Sequence, residues 1–139
     1  MAVGDEAVMA PATLQALSER QRAEVQRVVD LARSICGFGF GVYVGPLVNG
    51  RESAVAQHAS LSDPAGSVLV AVDPHAQAIE VVTGTRVAVA LDDRSCEFAV
   101  LSMTSCCMNG DLVGGIRECV TQLAEHARAP KVWHLSEPQ

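Results

Sequence analysis

The chain has 139 residues, of which 49% are hydrophobic and 19% are charged. This composition predicts one folded domain, because a disordered chain is less apolar and more highly charged. Sixteen acidic side chains against ten basic ones give a formal net charge of −6. The acidic balance argues against a nucleic-acid-binding domain and against a polybasic protein of membrane surfaces, since both need clustered Lys and Arg.

The N-terminal sequence lacks the signals of export. No Lys occurs in the first twenty residues, and no Arg precedes Arg20, so the basic region of a signal peptide is missing. The longest purely apolar runs are far shorter than the roughly 20 residues that span a bilayer. We therefore expect a cytoplasmic protein without membrane insertion, whose domain covers residues 13–130 between tails at 1–12 and 131–139.

The cysteines and histidines give little indication of a redox or zinc site, although a vicinal disulfide between the adjacent Cys106 and Cys107 is geometrically possible. The cysteine count is odd and no Cys-x-x-Cys occurs, so neither a disulfide framework nor a zinc ribbon is indicated. The four histidines also lack a second ligand at metal-binding spacing. In apolar surroundings free cysteines behave as small hydrophobic side chains. The five cysteines are Cys36, Cys96, Cys106, Cys107 and Cys119.

The first half of the chain predicts a helix, a strand and a second helix. Ser18 and Gln21 can form a capping box for an amphipathic helix that ends at Gly37. Residues 38–45 predict a strand with glycines on one face, so a neighbour should pack close to its backbone there. The sequence Asn-Gly-Arg-Glu then opens a short helix over 49–61, with its first residue as the cap.

The second half predicts a β-hairpin and two helices. Residues 67–73 form a continuous apolar run, as expected for a strand covered on both faces. Residues 79–83 should return as its antiparallel partner, because the connection is too short for a crossover helix. Residues 85–91 fit either a strand or a turn. Residues 94–108 are apolar nearly all round and predict a buried helix, and Asp111 opens the last helix.

The order of these elements predicts an α/β protein with a single α/β/α sandwich and a small mixed sheet. The last helix contains Gly114 and Gly115, which cost about 1 kcal/mol each relative to Ala. Their presence predicts close contact with a neighbouring backbone.

Three aspartates stand at predicted helix starts. Asp92 and Asp93 precede the predicted buried helix at 94–108, and Asp111 opens the final helix. Strand ends and helix starts converge on one edge of an α/β sandwich, where ligands usually bind. Oxygen donors meeting there favour a hard cation such as Ca²⁺ or Mg²⁺. The alternative is that each caps its helix, while Asp63 and Asp73, both followed by Pro, form turns.

Several short motifs together resemble the TPM domain. The family shares an apolar strand, a hairpin strand that ends in Gly, a Leu-x-Asp helix start and a Gly-Asp helix opening. Residues 18–127 resemble more closely an uncharacterised TPM-like domain of actinobacteria. The matching segments are 67–74 (SVLVAVDP), 79–84 (IEVVTG), 91–93 (LDD) and 109–116 (NGDLVGGI), together with 51–54 (RESA) and 101–103 (LSM).

The resemblance implies an α/β/α sandwich with acidic residues clustered at one end of the sheet. Members of that family are described as calcium-binding, some as acid phosphatases linked to photosystem repair, and others as non-enzymatic modules for membrane complexes. The family's Leu-x-Asp acid falls on Asp93 or its neighbour Asp92, and its Gly-Asp acid falls on Asp111. The aromatic residue that often follows the latter is Leu112 here, which implies a different pocket.

These observations lead to three hypotheses. The first is a non-catalytic TPM-like module that binds a divalent cation, a protein partner or both through an acidic edge containing Asp92, Asp93 and Asp111. The second is a metal-dependent acid phosphatase at the same edge, with Arg94 or Arg86 on the phosphate. No nucleophile or general base stands out for it. The third is a homo-oligomeric structural protein.

Overall fold

The computed structural model describes residues 17–128, so the predicted tails at 1–12 and 131–139 lie outside the described residues. The described chain forms four α-helices, three strands and one 3₁₀ turn. In chain order these are α1 (Glu19–Cys36), β1 (Gly39–Val44), α2 (Arg51–Ala59), the 3₁₀ turn (Pro64–Gly66), β2 (Ser67–Asp73), β3 (Ala78–Thr83), α3 (Asp93–Met108) and α4 (Leu112–Ala127).

The ends of the first two helices follow local capping chemistry. The predicted capping box of α1 is confirmed: the Gln21 N–H donates to Ser18 Oγ at 3.0 Å, and the Ser18 N–H donates to Gln21 Oε1 at 2.8 Å. Gly37 ends α1 in the left-handed conformation, with φ +86°. The predicted cap of α2 is wrong, because Gly50 occupies the cap position with φ +59° and Asn49 lies one residue outside it.

The three strands form one mixed sheet in the order β1-β2-β3. β1 runs parallel to β2, and β3 pairs with β2 in antiparallel register, with Val70 opposite Val81. The predicted hairpin is therefore confirmed. Residues 85–91, which fit a strand or a turn from sequence, form consecutive turns in which the Val87 and Ala88 N–H groups donate to the Gly84 carbonyl. Within the described residues, β1 and β3 are thus the two edges of the sheet.

Helices cover both faces of this sheet, which confirms the α/β/α sandwich. Helices α1, α3 and α4 enclose the larger core on one face, and α2 encloses the smaller core on the other. All of β2 is buried, as predicted for a strand covered on both sides. Leu61 packs onto the bare backbone of β1, since a Cβ added at Gly41 would lie 2.9 Å from Leu61 Cδ2.

Helix α3 differs from its prediction as a buried helix. Its inner face buries Ala99 and Met103, whereas Phe98, Leu101 and Met108 are 55%, 64% and 81% exposed. The helix packs on α4 with one face only, so its opposite apolar side chains stay at the surface. None of the helices within residues 17–128 is long and apolar enough to cross a membrane.

Helices α3 and α4 form an antiparallel hairpin. The Gln122 amide near the C-terminal end of α4 donates to Ser102 Oγ at 2.8 Å. At the start of α4, a Cβ added at Gly115 would lie 3.1 Å from the Met103 carbonyl oxygen. The predicted close approach of a neighbouring backbone is confirmed at Gly115, and it lets the two helices pack tightly.

Candidate functional site

The three predicted metal ligands do not meet. Asp92 caps α3 by accepting the Ser95 N–H at 2.9 Å, and Asp111 caps α4 by accepting the Gly114 N–H at 2.9 Å. The Asp111 N–H donates to the Cys106 carbonyl near the other end of α3. About 20 Å of helix therefore separates Asp111 from Asp92 and Asp93. The expectation of one site formed by all three aspartates has to be corrected.

The physical reason is the direction of the two helices. Helix starts share one edge of a sheet when a strand precedes each helix, but α4 follows α3 directly through the Asn109–Gly110 turn. An antiparallel hairpin necessarily places its two helix starts at opposite ends. Among residues 17–128, no group of three or more His, Cys, Asp or Glu side chains is arranged to hold a metal ion.

The end of β2 carries a buried carboxylate with a structural task. Asp73 is 8% exposed, and its two oxygens accept the Leu47 N–H at 3.0 Å and the Ala76 N–H at 3.1 Å. These hydrogen bonds hold the pKa of the Asp73 carboxyl below its ordinary value, and the one from Leu47 has the largest effect. Asp73 thus forms the predicted turn and also fixes the β1–α2 loop. A pocket of about 340 Å³ lies beside it, with mainly apolar walls that include Ile79, Cys107 and Leu112.

A larger open groove of about 640 Å³ lies between edge strand β3 and helix α3, and we refer to it as the β3 groove. Its lining combines charged and apolar side chains from three elements. They are Arg51 of α2, Ile79, Glu80, Val81 and Thr83 of β3, and Asp93, Cys96, Glu97, Val100 and Leu101 of α3. Asp93 is the one predicted site residue in this groove.

The lining of the β3 groove carries an excess of negative charge. Arg51 Nη1 lies 3.0 Å from Glu80 Oε1, so the cation that residues 17–128 contribute to the groove is paired. Asp93 and Glu97 have no ion-pair partner within residues 17–128. They stand four residues apart on α3, and Leu101 follows at the same spacing, so the three side chains share one face of the helix. This face offers two unpaired carboxylates and then an exposed apolar side chain.

The thiol in the groove is not prepared for nucleophilic chemistry. Burial raises the pKa of Cys96 to about 11, and the charges of Asp93 and Asp92 act in the same direction. Because the thiolate is the nucleophilic form, a thiol with this pKa is protonated and inert at neutral pH. The groove therefore presents charge and apolar surface without an activated side chain among these residues.

The backbone of β3 adds hydrogen-bonding groups to the groove. The Gly84 N–H donates to the Ser67 carbonyl, so Ser67 and Gly84 stand at a hydrogen-bonding position of this antiparallel ladder. Hydrogen-bonded and non-hydrogen-bonded pairs alternate. The N–H and C=O groups of Ile79, Val81 and Thr83 therefore point away from β2, to the free edge. Arg51 donates to one of them, the Val81 carbonyl, at 3.1 Å.

Sequence reasoning found Asp93 and missed the rest of the groove. The composition of residues 94–108 predicts a helix that is apolar nearly all round, and this prediction conceals the surface position of Glu97 and Leu101. The spacing of Asp93, Glu97 and Leu101 was the available signal for a shared helix face. No pattern in the sequence indicates that Arg51 and Glu80 line the groove, because their positions there depend on how α2 and β3 pack.

Two solved structures share this fold at low sequence identity. One is the solution NMR structure of the N-terminal domain of the cg2496 protein from Corynebacterium glutamicum, with a TM-score of 0.66 and 12% identity over 86% of this chain and 77% of that chain. The other is the solution NMR structure of the N-terminal domain of a protein from P. gingivalis, with a TM-score of 0.65 and 17% identity over 85% of this chain and 79% of that chain. At these identities the likeness shows the fold alone.

Among curated proteins no match was found. A family model described as a domain of unknown function, DUF5130, matches residues 4–124. The match spans all of the strands and the larger part of every helix described above. The chain belongs to the DUF5130 family.

Proposed function

We propose that this domain is a non-catalytic TPM-like module that binds a protein partner through the β3 groove. The observation that carries the proposal is the groove's lining: Asp93 and Glu97 are unpaired within the described chain and stand beside the exposed Leu101. Charged groups that flank exposed apolar surface are typical of a protein interface. Phe98, on the neighbouring face of α3, extends the exposed apolar surface.

The geometry favours the protein-partner part of the prediction over its divalent-cation part. Asp92 and Asp111 serve as helix caps at opposite ends of α3, so a cation bound at one end lacks the carboxylates of the other. The same separation disfavours the shared metal site on which the phosphatase alternative depends. An excess of carboxylates in the groove also disfavours a second copy of this acidic chain, because like charges would face each other.

The proposal predicts that the groove selects basic peptides. In a selection from random peptides displayed on phage, we expect enriched sequences that combine Lys or Arg with apolar residues. The affinity of these peptides should fall roughly tenfold or more for a domain variant that carries both Asp93→Lys and Glu97→Lys, because two attractive charges become repulsive. Fluorescence anisotropy with the synthetic peptides measures this loss.

The matched control reverses two charges away from the groove. Glu19→Lys with Asp30→Lys alters the net charge by the same amount on α1, and both positions are exposed. We expect peptide affinity within about twofold of wild type for this control, apart from the long-range effect that salt screens. Equal losses in the two variants, or no enriched peptide at all, would contradict the proposed function.

A further inference from the structure

The free edge of β3 offers more than a charged surface. Three residues of this strand, Ile79, Val81 and Thr83, direct their backbone N–H and C=O groups away from β2. Within residues 17–128, the hydrogen bond that reaches this edge comes from Arg51, at the Val81 carbonyl. A row of such groups is a template for another strand.

We propose that the partner binds as an extended basic segment that adds to β3 as a further strand of the sheet. This inference rests on the proposed function, since it specifies how the β3 groove holds its partner. Strand addition supplies affinity through main-chain hydrogen bonds and specificity through alternate side chains. The six residues of β3 set the length of the paired segment.

Arg51 shows what the incoming segment replaces. Its guanidinium now satisfies both the Val81 carbonyl and the Glu80 carboxylate at the edge. A backbone N–H of the added strand replaces Arg51 as the donor to the Val81 carbonyl. A Lys or Arg side chain of that strand replaces Arg51 as the partner of the Glu80 carboxylate. Because each lost hydrogen bond is replaced, displacement of the exposed Arg51 side chain leaves no buried polar group unpaired.

The charges of the groove decide which segment fits. Alternate side chains of the added strand lie on the α3 side of the sheet, where Asp93, Glu97 and Leu101 share one helix face. Basic residues complement the two carboxylates, and an apolar residue covers Leu101. A second copy of this chain would instead bring its own Glu80, Asp93 and Glu97 against the same residues. The complementary occupant is therefore a basic, extended segment of another protein.

The test methylates the backbone of the most enriched synthetic peptide at one amide nitrogen at a time. An added strand donates alternate N–H groups to β3, so methylation should weaken binding roughly tenfold at every second position and by less than about twofold between them. Hydrogen exchange of the protein gives an independent measurement. The amides of Ile79, Val81 and Thr83 should exchange more slowly with peptide bound, whereas those of Glu80 and Val82, already paired with β2, should not change.

Two results would overturn the strand-addition inference. In the first, the loss of affinity on methylation shows no two-residue period, and the amides of β3 exchange hydrogen at the same rate with and without peptide. The peptide then binds in a form other than an added strand. If that peptide still loses affinity in the Asp93→Lys, Glu97→Lys variant, the proposed function stands and only the mode of binding is wrong. A wild-type dimer that dissociates when Thr83→Pro removes an edge N–H means that a second copy occupies the strand, which also overturns the inference.

Discussion

Gly84→Ala is expected to destabilise the domain by about 3–4 kcal/mol, because backbone atoms occupy the space that its methyl group needs. A Cβ at this position would lie 2.0 Å from the Pro64 carbonyl oxygen and 2.4 Å from that of Ala65. Neither oxygen belongs to a side chain that can rotate away. Gly84 also donates to Ser67 and accepts from the turn that follows β3, so the strand end cannot move freely.

Urea unfolding at neutral pH measures the loss, and the matched control is Gly110→Ala. Gly110 has φ +81°, and an added Cβ would meet no atom within 4 Å. Its cost is that of a left-handed backbone alone, about 1–2 kcal/mol. If Gly84→Ala unfolds at the same urea concentration as Gly110→Ala, the close approach at the end of β3 does not determine stability.

Local patterns were sufficient to predict most of the fold. The capping box at Ser18 and the hairpin formed by β2 and β3 each depend on residues close together in sequence, and both occur in the structure. The structure places the cap of α2 one residue after the predicted Asn49, at Gly50, and both Asn and Gly are residue types favoured at this position. Propensity alone does not separate two adjacent residues with this shared tendency.

The candidate site depended on packing that local patterns do not contain. Asp92 and Asp111 were correctly placed at helix starts, yet their separation follows from the antiparallel α3–α4 hairpin. The β3 groove depends on the same arrangement. Which face of α3 packs on α4 determines that Leu101 is exposed and that Asp93 and Glu97 line the groove. An apolar composition shows that a helix packs, but it does not show how many of its sides are covered.

Asp73→Asn is expected to destabilise the domain by about 2–3 kcal/mol at neutral pH, since charged acceptors make the stronger hydrogen bonds. The carboxylate accepts one N–H from Leu47 and another from Ala76. An Asn side chain has one oxygen, and its NH₂ group cannot accept. One of the two amides therefore loses its acceptor at a position that is largely shielded from water.

The pH dependence of this difference tests the same contact. Hydrogen bonds from Leu47 and Ala76 lower the pKa of Asp73 in the folded protein, whereas the unfolded chain has an ordinary value of about 3.9. The contribution of the carboxylate is thus fully present above the unfolded pKa and is lost as the pH falls through the folded pKa. The difference in the free energy of unfolding between wild type and Asp73→Asn should stay constant from neutral pH to about pH 5 and shrink at lower pH.

Urea unfolding across this pH range measures the difference, with Asp30→Asn on the exposed face of α1 as the control. A difference that is as large at pH 3 as at pH 7 would mean that Asp73 acts through its shape and not through its charge.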